Sequence, residues 1–229
     1  MSQPLVPDLD AGVAARLAGV TQRIERAGGD PEKNKILAVT KGFGPEAVLA
    51  AQGVGLVGVG ENYAQELEAK RATLDELGRG ADVRWHFLGA IQTNKIHGLA
   101  PLVDCWQSVS RAVEGERIAR ARPGATVMIQ VAFASDAGRP GCEPDAVGAL
   151  VGTLGGLGLE VTGLMAVAPR QPDEARAAFA TVVGLADDLA LPERSIGMTE
   201  DLELAVAAGS TMVRVGRALF GDRPPRTPG

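Results

Sequence analysis

Short apolar runs alternate regularly with segments of helical character along this chain, and this alternation limits the folds available to it. Eight strand-like runs occur between residues 35 and 215, and each but the last precedes a helical segment. Several runs, such as Val127-Met-Ile-Gln-Val-Ala132, are apolar almost throughout, as is typical of parallel strands covered on both faces. The pattern predicts an α/β fold, a single (β/α)8 TIM-type barrel, with a doubly wound open sheet as the alternative.

The predicted strands are Lys35–Thr40, Leu56–Val59, Val83–Leu88, Leu102–Trp106, Thr126–Phe133, Leu159–Met165, Arg194–Gly197 and Thr211–Val215. An extra N-terminal helix over Leu9–Ala27 precedes them, because Val13, Leu17, Val20 and Ile24 recur at helical spacing. We expect this helix to cap one end of the barrel.

The composition, 45% hydrophobic and 22% charged, is that of a folded protein. No apolar run reaches the roughly 18 residues of a membrane span, and no signal-peptide pattern is evident at the N-terminus. We therefore expect a cytoplasmic location and no membrane partner. The net charge of −5 argues against a general nucleic-acid binder.

The 229 residues suit one domain, so we expect residues 1–222 to form the barrel and residues 223–229 to form a loose C-terminal tail. Two cysteines predict no disulfide framework. Two histidines 11 positions apart lack ligand spacing, so no metal site is expected. No long apolar stripe points to an oligomer, and we expect a monomer.

Lys41 is the first candidate functional residue, because it follows the first predicted strand. In a barrel of this type, active groups gather at the carboxyl ends of the strands. A lysine there is partly desolvated, which disfavours the ammonium form and exposes a nucleophilic amine. Such an amine can form a Schiff base with an aldehyde. The alternative is a lysine that simply extends its charge to solvent.

The last two strands are followed by residues suited to an anion. Met198 and Thr199 follow the seventh strand, and Arg214 and Gly216 lie at the end of the eighth. The loops after these strands form the phosphate site of many barrels, where backbone N–H groups and a helix dipole attract the anion. Helix capping by Thr199 and a surface ion pair for Arg214 are the alternatives. A nucleophilic lysine beside a phosphate site suggests a phosphorylated aldehyde, and pyridoxal 5′-phosphate (PLP) fits.

Several stretches resemble the YggS/PROSC family of PLP homeostasis proteins. They are Ala38-Val-Thr-Lys41, Gly60-Glu-Asn-Tyr-Ala-Gln-Glu66, Trp85-His-Phe-Leu-Gly-Ala-Ile-Gln-Thr-Asn-Lys95, Gly163-Leu-Met-Ala166, Gly197-Met-Thr-Glu-Asp201, Gly209-Ser-Thr-Met-Val-Arg-Val-Gly216 and Phe220-Gly221. They occur in order across nearly the whole chain, and their spacing makes the signal more specific than any single block.

The resemblance implies a barrel like the N-terminal domain of bacterial alanine racemase. It also implies a Schiff base on Lys41, phosphate contacts from the loops at Met198-Thr199 and Gly216, and Arg214 near the ring or phosphate. Asn62 and His86, which lie in the matching stretches, complete the expected cofactor-binding set. The family acts in PLP supply with no established catalytic activity, so no catalytic residue is assigned, and PLP-dependent apo-enzymes are the candidate recipients.

The chain departs from the family pattern at three positions. Threonine replaces serine at Thr40 and Thr199, which keeps the hydroxyl in both cases. Arg139 stands where a lysine is expected. An arginine cannot form an imine, so any role for that lysine in cofactor transfer is in question here.

Two enzymatic functions are alternatives to the role of a PLP carrier. The first is a low-activity PLP-dependent amino-acid racemase or related enzyme, with His86 or Tyr63 as the base. An arginine beside the pyridine nitrogen argues against it, because a group whose pKa exceeds about 12 does not easily give up a proton to the ring. The second is a phosphosugar isomerase or aldolase, which would share the phosphate loops and would not need PLP. For His86 and Tyr63, packing in the core is the simpler alternative.

Overall fold

A computed structural model of the chain describes residues 7–133 and 140–223. Eight parallel strands form a closed barrel in sequence order, and the last strand pairs with the first. The strands are β1 Lys35–Val39, β2 Gly58–Glu61, β3 Arg84–Phe87, β4 Cys105–Val109, β5 Thr126–Val131, β6 Glu160–Ala166, β7 Glu193–Ser195 and β8 Met212–Val215. The predicted TIM-type barrel is confirmed, and the open-sheet alternative is wrong because β8 closes on β1.

Helices alternate with the strands and cover the barrel. They are α1 Pro7–Arg26, α2 Pro45–Gly53, α3 Ala64–Glu76, α4 Ile96–Leu99, α5 Ala112–Ala121, α6 Val147–Gly156, α7 Pro172–Asp188, α8 Leu202–Ala208 and α9 Arg217–Phe220. A 3₁₀ turn at Pro144–Ala146 precedes α6. No helix in the described ranges is both long and apolar enough to cross a membrane.

The extra N-terminal helix packs beside the barrel instead of across its end. Val13, Val20 and Ile24 of α1 are buried, as the helical spacing predicted. Helix α1 contacts α2, α8 and α9, which flank strands β8 and β1. Because α9 has only four residues, α1 supplies apolar cover in this part of the outer layer. The expectation of an end cap is therefore wrong.

Strands β2 and β4 begin and end later in the sequence than the positions of their apolar residues predict. Strand β2 extends to Glu61, and β4 begins at Cys105. The apolar residues Leu56 and Leu102 lie in the turns that follow the preceding helices α2 and α4, and their amides donate to the carbonyls of Ala51 and Leu99. The carboxyl halves of both strands carry buried polar residues, which an apolar pattern cannot detect.

Side chains and loops set the starts of two helices. Helix α5 begins at Ala112, and Arg111 is its N-cap. The Glu114 carboxylate reaches back to accept the backbone N–H groups of Ser110 and Arg111 at 2.8 and 3.1 Å. Helix α8 begins at Leu202, so Thr199 lies in the loop before that helix and does not cap it.

Candidate functional site

A cavity of about 480 Å³ opens at the carboxyl ends of the strands. This volume lies within the range of small-molecule and cofactor sites. Six of the seven residues predicted from the sequence as cofactor-binding line it, namely Lys41, Asn62, Met198, Thr199, Arg214 and Gly216. His86, the seventh, is not among the lining residues. Arg170, Arg217 and Arg223 also line the cavity and were not predicted from the sequence. Arg217 lies two residues beyond β8, so its position could have indicated it, whereas Arg170 and Arg223 lie further from a strand.

Lys41 lies two residues beyond the last residue of β1 and is half-buried. Within the described ranges its amine makes no hydrogen bond and no ion pair. Burial lowers the pKa of the Lys41 amine, and the positive charges of Arg223 and Arg214 lower it further, while Glu61 and Glu66 oppose them. The neutral, nucleophilic form of the amine is therefore more accessible than in an exposed lysine.

Arg214 is almost fully buried and holds its guanidinium in a fixed orientation. One terminal nitrogen donates to the Ser195 carbonyl and to Ser195 Oγ, the latter at 3.0 Å. The other terminal nitrogen donates to the Ala166 carbonyl at 2.7 Å. Burial lowers the pKa of Arg214 to about 10, so the side chain remains a cation at neutral pH. Arg214 also lines the cavity.

A chain of hydrogen bonds crosses the barrel interior from Arg214 to His86. Ser195 Oγ donates to Gln107 Oε1 at 2.7 Å, and Gln107 Nε2 lies 2.8 Å from His86 Nδ1. Since β4 and β7 are not neighbouring strands, the Ser195–Gln107 bond must pass through the interior. Burial lowers the pKa of His86 to about 4, so the ring is neutral and accepts from the Gln107 amide. His86 thus helps to hold Arg214 in place indirectly, through Gln107 and Ser195.

The loop between β7 and α8 is anchored from two sides. The Met198 N–H donates to Asp201 Oδ1 at 2.5 Å, so that amide is already engaged and does not face a ligand freely. The Thr199 carbonyl accepts from Arg23 of α1 at 2.8 Å, and the same guanidinium pairs with Glu203 of α8. No sequence signal distinguishes Arg23 from other arginines on exposed helix faces.

Gly216 packs tightly against the end of β1. A Cβ atom built on Gly216 would lie 3.0 Å from the Val39 carbonyl oxygen, which is closer than side chains normally approach a backbone. Arg217 follows Gly216 and forms an exposed ion pair with Glu200. This pair joins the short helix α9 to the loop after β7, so both predicted anion-binding segments lie at one edge of the cavity.

Asn62 connects the main cavity with a smaller one. Its Oδ1 atom is buried without a hydrogen-bond partner in the described ranges, and so is Trp106 Nε1. Both residues line the smaller cavity together with Tyr63, which is half-exposed. Neither Tyr63 nor His86, the two side chains considered as catalytic bases, is among the residues that line the main cavity.

Two expectations fall outside what the structure tests. Arg139 and the tail from residue 224 onward lie outside the described residues. Within the described ranges, no three His, Cys, Asp or Glu side chains cluster as metal ligands.

The family model "Alanine racemase, N-terminal domain" matches residues 14–224 of this chain. The chain is 38% identical over 222 residues to the "Pyridoxal phosphate homeostasis protein" of Pseudomonas aeruginosa, covering 93% of this chain and 94% of the relative. It is 39% identical over 214 residues to the protein of the same name from Deinococcus radiodurans, covering 91% and 99%.

Solved structures show the same architecture. PipY of Synechococcus elongatus with PLP bound superposes with a TM-score of 0.78 and 31% identity, covering 91% of this chain and all of PipY. An alanine racemase of Clostridium difficile superposes with a TM-score of 0.69 over 92% of this chain and 57% of that chain. At 14% identity, the racemase shows the shared fold alone.

Proposed function

This chain belongs to the family of pyridoxal phosphate homeostasis proteins, and we propose that it holds PLP as a Schiff base with Lys41 and acts in PLP homeostasis or delivery in the cell, without substantial catalysis. The observation that carries the proposal is the position of Lys41. Its amine, which has no hydrogen-bond partner among the residues that the structure describes, lines the same cavity as Arg214, Thr199 and Gly216. PLP-bound PipY supports the choice of cofactor.

PLP supplies an aldehyde with which a neutral amine condenses, with loss of water, to form a Schiff base. The surroundings of Lys41 favour the neutral amine, because burial and two nearby arginines lower its pKa. A surface lysine with an ordinary pKa would be almost entirely protonated at neutral pH. Lys41 is therefore the lysine in this chain with the best-supported nucleophilic role.

The phosphate is assigned to the edge of the cavity formed by Thr199 and Gly216. Thr199 offers a hydroxyl, and the first N–H groups of α9 after Gly216 have no partner within that helix. Gly216 allows the backbone to lie close to β1, where a side chain would press on the Val39 carbonyl. The Met198 amide is engaged with Asp201, so Met198 contributes by its position in the loop.

The remaining groups of the cavity also fit PLP. Arg214 presents a fixed cation suited to the ring or the phosphate. Asn62 Oδ1 is a buried acceptor that has no partner within residues 7–133 and 140–223, and a hydroxyl or N–H donor of a bound molecule would satisfy it. The volume of about 480 Å³ accommodates a ligand of this size.

The arrangement favours holding the cofactor over turning over amino acids. A racemase or decarboxylase reaction benefits from an acidic partner at the pyridine nitrogen, whereas the buried group here is an arginine that stays protonated at neutral pH. Neither Tyr63 nor His86 lines the cavity. The enzymatic alternative would require another residue as its base.

The proposal is tested by titrating PLP into the protein and following the visible absorbance of the Schiff base. We expect saturable appearance of the band in the wild type and its loss in Lys41→Arg, which keeps the charge but cannot form the bond. Lys33→Arg, at an exposed lysine, is the matched control and should behave as the wild type. Equal bands in Lys41→Arg and the wild type would refute the proposal.

A further inference from the structure

A buried cluster of charged residues lies directly behind Lys41. Glu61, at the end of β2, is fully buried, and Lys70, in α3, is 4% exposed. Lys70 Nζ lies 2.5 Å from Glu61 Oε1, and the Thr40 hydroxyl donates to the same oxygen at 2.5 Å. Such pairs cost desolvation energy and are destabilising when one partner is lost, so their presence at this position calls for an explanation.

The cluster forms hydrogen bonds with the backbone on both sides of Lys41. Lys70 Nζ donates to the Thr40 carbonyl at 2.8 Å. The Gly42 amide donates to Glu66 Oε2 at 2.7 Å, and that oxygen lies 3.7 Å from Lys70 Nζ. Lys41 is the one residue between these two anchored peptide units, so the cluster fixes the direction in which its side chain leaves the chain.

We propose that Lys70 and Glu61 are positioning residues for Lys41: their buried ion pair holds the end of β1 so that the Lys41 amine faces the cavity, and it balances the charge around that amine. The inference deepens the proposed function and rests on it for its biological meaning. Neither residue lines the cavity, so both act through Lys41 and not on a ligand.

The charge balance follows from the groups that face Lys41. Arg223 and Arg214 lower the pKa of the Lys41 amine, and Glu61 and Glu66 raise it. The negative charge of Glu61 is offset by Lys70 at hydrogen-bond distance. If Glu61 lost its charge, an influence that raises the pKa of Lys41 would disappear and the positive charge of Lys70 would no longer be offset, so the neutral form of the Lys41 amine would be favoured.

The bonding pattern makes a charge-specific variant possible. Both bonds to Glu61 end on Oε1, and Oε2 has no hydrogen-bond partner in the described ranges. In Glu61→Gln, the amide oxygen can keep both bonds while the negative charge disappears. Lys70→Met instead removes the positive charge and the anchor on the Thr40 carbonyl. The double variant Glu61→Gln/Lys70→Met removes both charges.

The test measures the reactivity of Lys41 in the protein without PLP. The protein is labelled briefly with acetic anhydride over a series of pH values, and modification at each lysine is quantified by peptide mass spectrometry. The chain has only five lysines, and the exposed Lys33 and Lys95 serve as internal references. The rate at Lys41 follows its neutral fraction, so the profile gives the midpoint of its titration.

We expect the midpoint of Lys41 to fall in Glu61→Gln and to return toward the wild-type value in the double variant. A fall of one pH unit raises the labelling rate about tenfold at a pH below both midpoints. Lys70→Met should not lower the midpoint. A purely structural role would instead give Glu61→Gln and Lys70→Met the same effect on the midpoint, because both substitutions break the same ion pair.

Glu66→Gln guards against a Glu61 variant that does not fold. Glu66 is partly exposed, and the amide oxygen that replaces its carboxylate can still accept the Gly42 N–H. This variant should therefore fold and lower the midpoint of Lys41 in the same direction. Unchanged midpoints in both folded variants would overturn the inference. Because the labelling uses no PLP, a shifted midpoint together with absent PLP binding would reject the proposed function and leave the positioning role standing.

Discussion

Lys41, just beyond the end of β1, and Arg214, on the adjacent strand β8, line the same cavity, and the positive charge of Arg214 helps to lower the pKa of the Lys41 amine. Arg214 in turn is fixed by Ser195 and Ala166. One buried cation in the cavity lining therefore favours the nucleophilic form of the neighbouring amine.

Arg223→Gln should make Lys41 less reactive at neutral pH. After burial, the Arg223 charge is the largest influence that lowers the pKa of Lys41, so its removal should raise that pKa and reduce the neutral fraction. The rate of Schiff-base formation with PLP, followed by absorbance, should fall at pH 7 and recover at higher pH. Arg217→Gln, at a cavity-lining arginine paired with Glu200, is the control; an equal loss in both variants would contradict the prediction.

Gly216→Ala should weaken PLP binding. The added Cβ would meet the Val39 carbonyl oxygen at 3.0 Å and push the proposed phosphate segment away from β1. Overpacking of this kind costs about 1–3 kcal/mol, so the dissociation constant, measured by absorbance titration, should rise about tenfold. Gly152→Ala, in α6 with open space around the new Cβ, should leave affinity unchanged. Retained affinity in Gly216→Ala would argue against this phosphate assignment.

His86 should make the protein sensitive to acid. Burial lowers its pKa to about 4 from 6.5, so the unfolded chain binds a proton in this interval and the folded chain does not. Its contribution to stability is complete above pH 6.5 and is lost as the pH falls toward 4, by about 3 kcal/mol. Urea unfolding at pH 7 and pH 4.5 should show a smaller loss for His86→Gln than for the wild type.

The exposed His97 provides the matched control for this pH dependence. His97→Gln should lose as much free energy of unfolding between the two pH values as the wild type does. If His86→Gln and His97→Gln lost equal amounts, the acid sensitivity would not come from His86.

A delivery role predicts direct transfer of the cofactor. The PLP-loaded protein should reactivate a PLP-dependent apo-enzyme while a phosphatase removes free PLP from solution. Lys41→Arg, incubated with the same amount of PLP, should not protect the cofactor and should not support reactivation. Equal reactivation by both proteins would indicate that the cofactor passes through free solution.

The fold was predictable because its signal is repeated along the chain. Apolar runs of parallel strands, separated by helical segments, identified all eight strands, and the position of Lys41, Thr199 and Gly216 just beyond strands marked them as rim residues. The ends of β2 at Glu61 and of β4 at Val109 were missed because buried polar residues, Glu61 and Gln107 among them, interrupt the apolar pattern.

The supporting contacts of the site were less accessible to sequence reasoning. His86 was predicted to contact the cofactor. The two-residue periodicity of a strand shows which face His86 lies on, but not how far it lies from the mouth of the barrel. In the structure His86 contacts Gln107, which in turn contacts Ser195. Lys70 and Arg23 donate to the backbone carbonyls of Thr40 and Thr199, which are distant from them in the sequence. Composition and spacing do not reveal such contacts. Lys70 carried one weak signal, its helical spacing of four residues from Glu66.

The central claim is a covalent bond between one lysine and PLP, and borohydride reduction tests it most directly. The PLP-loaded protein is reduced, digested and analysed by peptide mass spectrometry. We predict a reduced phosphopyridoxyl group on Lys41, with Lys33, Lys35, Lys70 and Lys95 unmodified. Modification at another lysine with Lys41 free, or no modification of a protein saturated with PLP, would contradict the account.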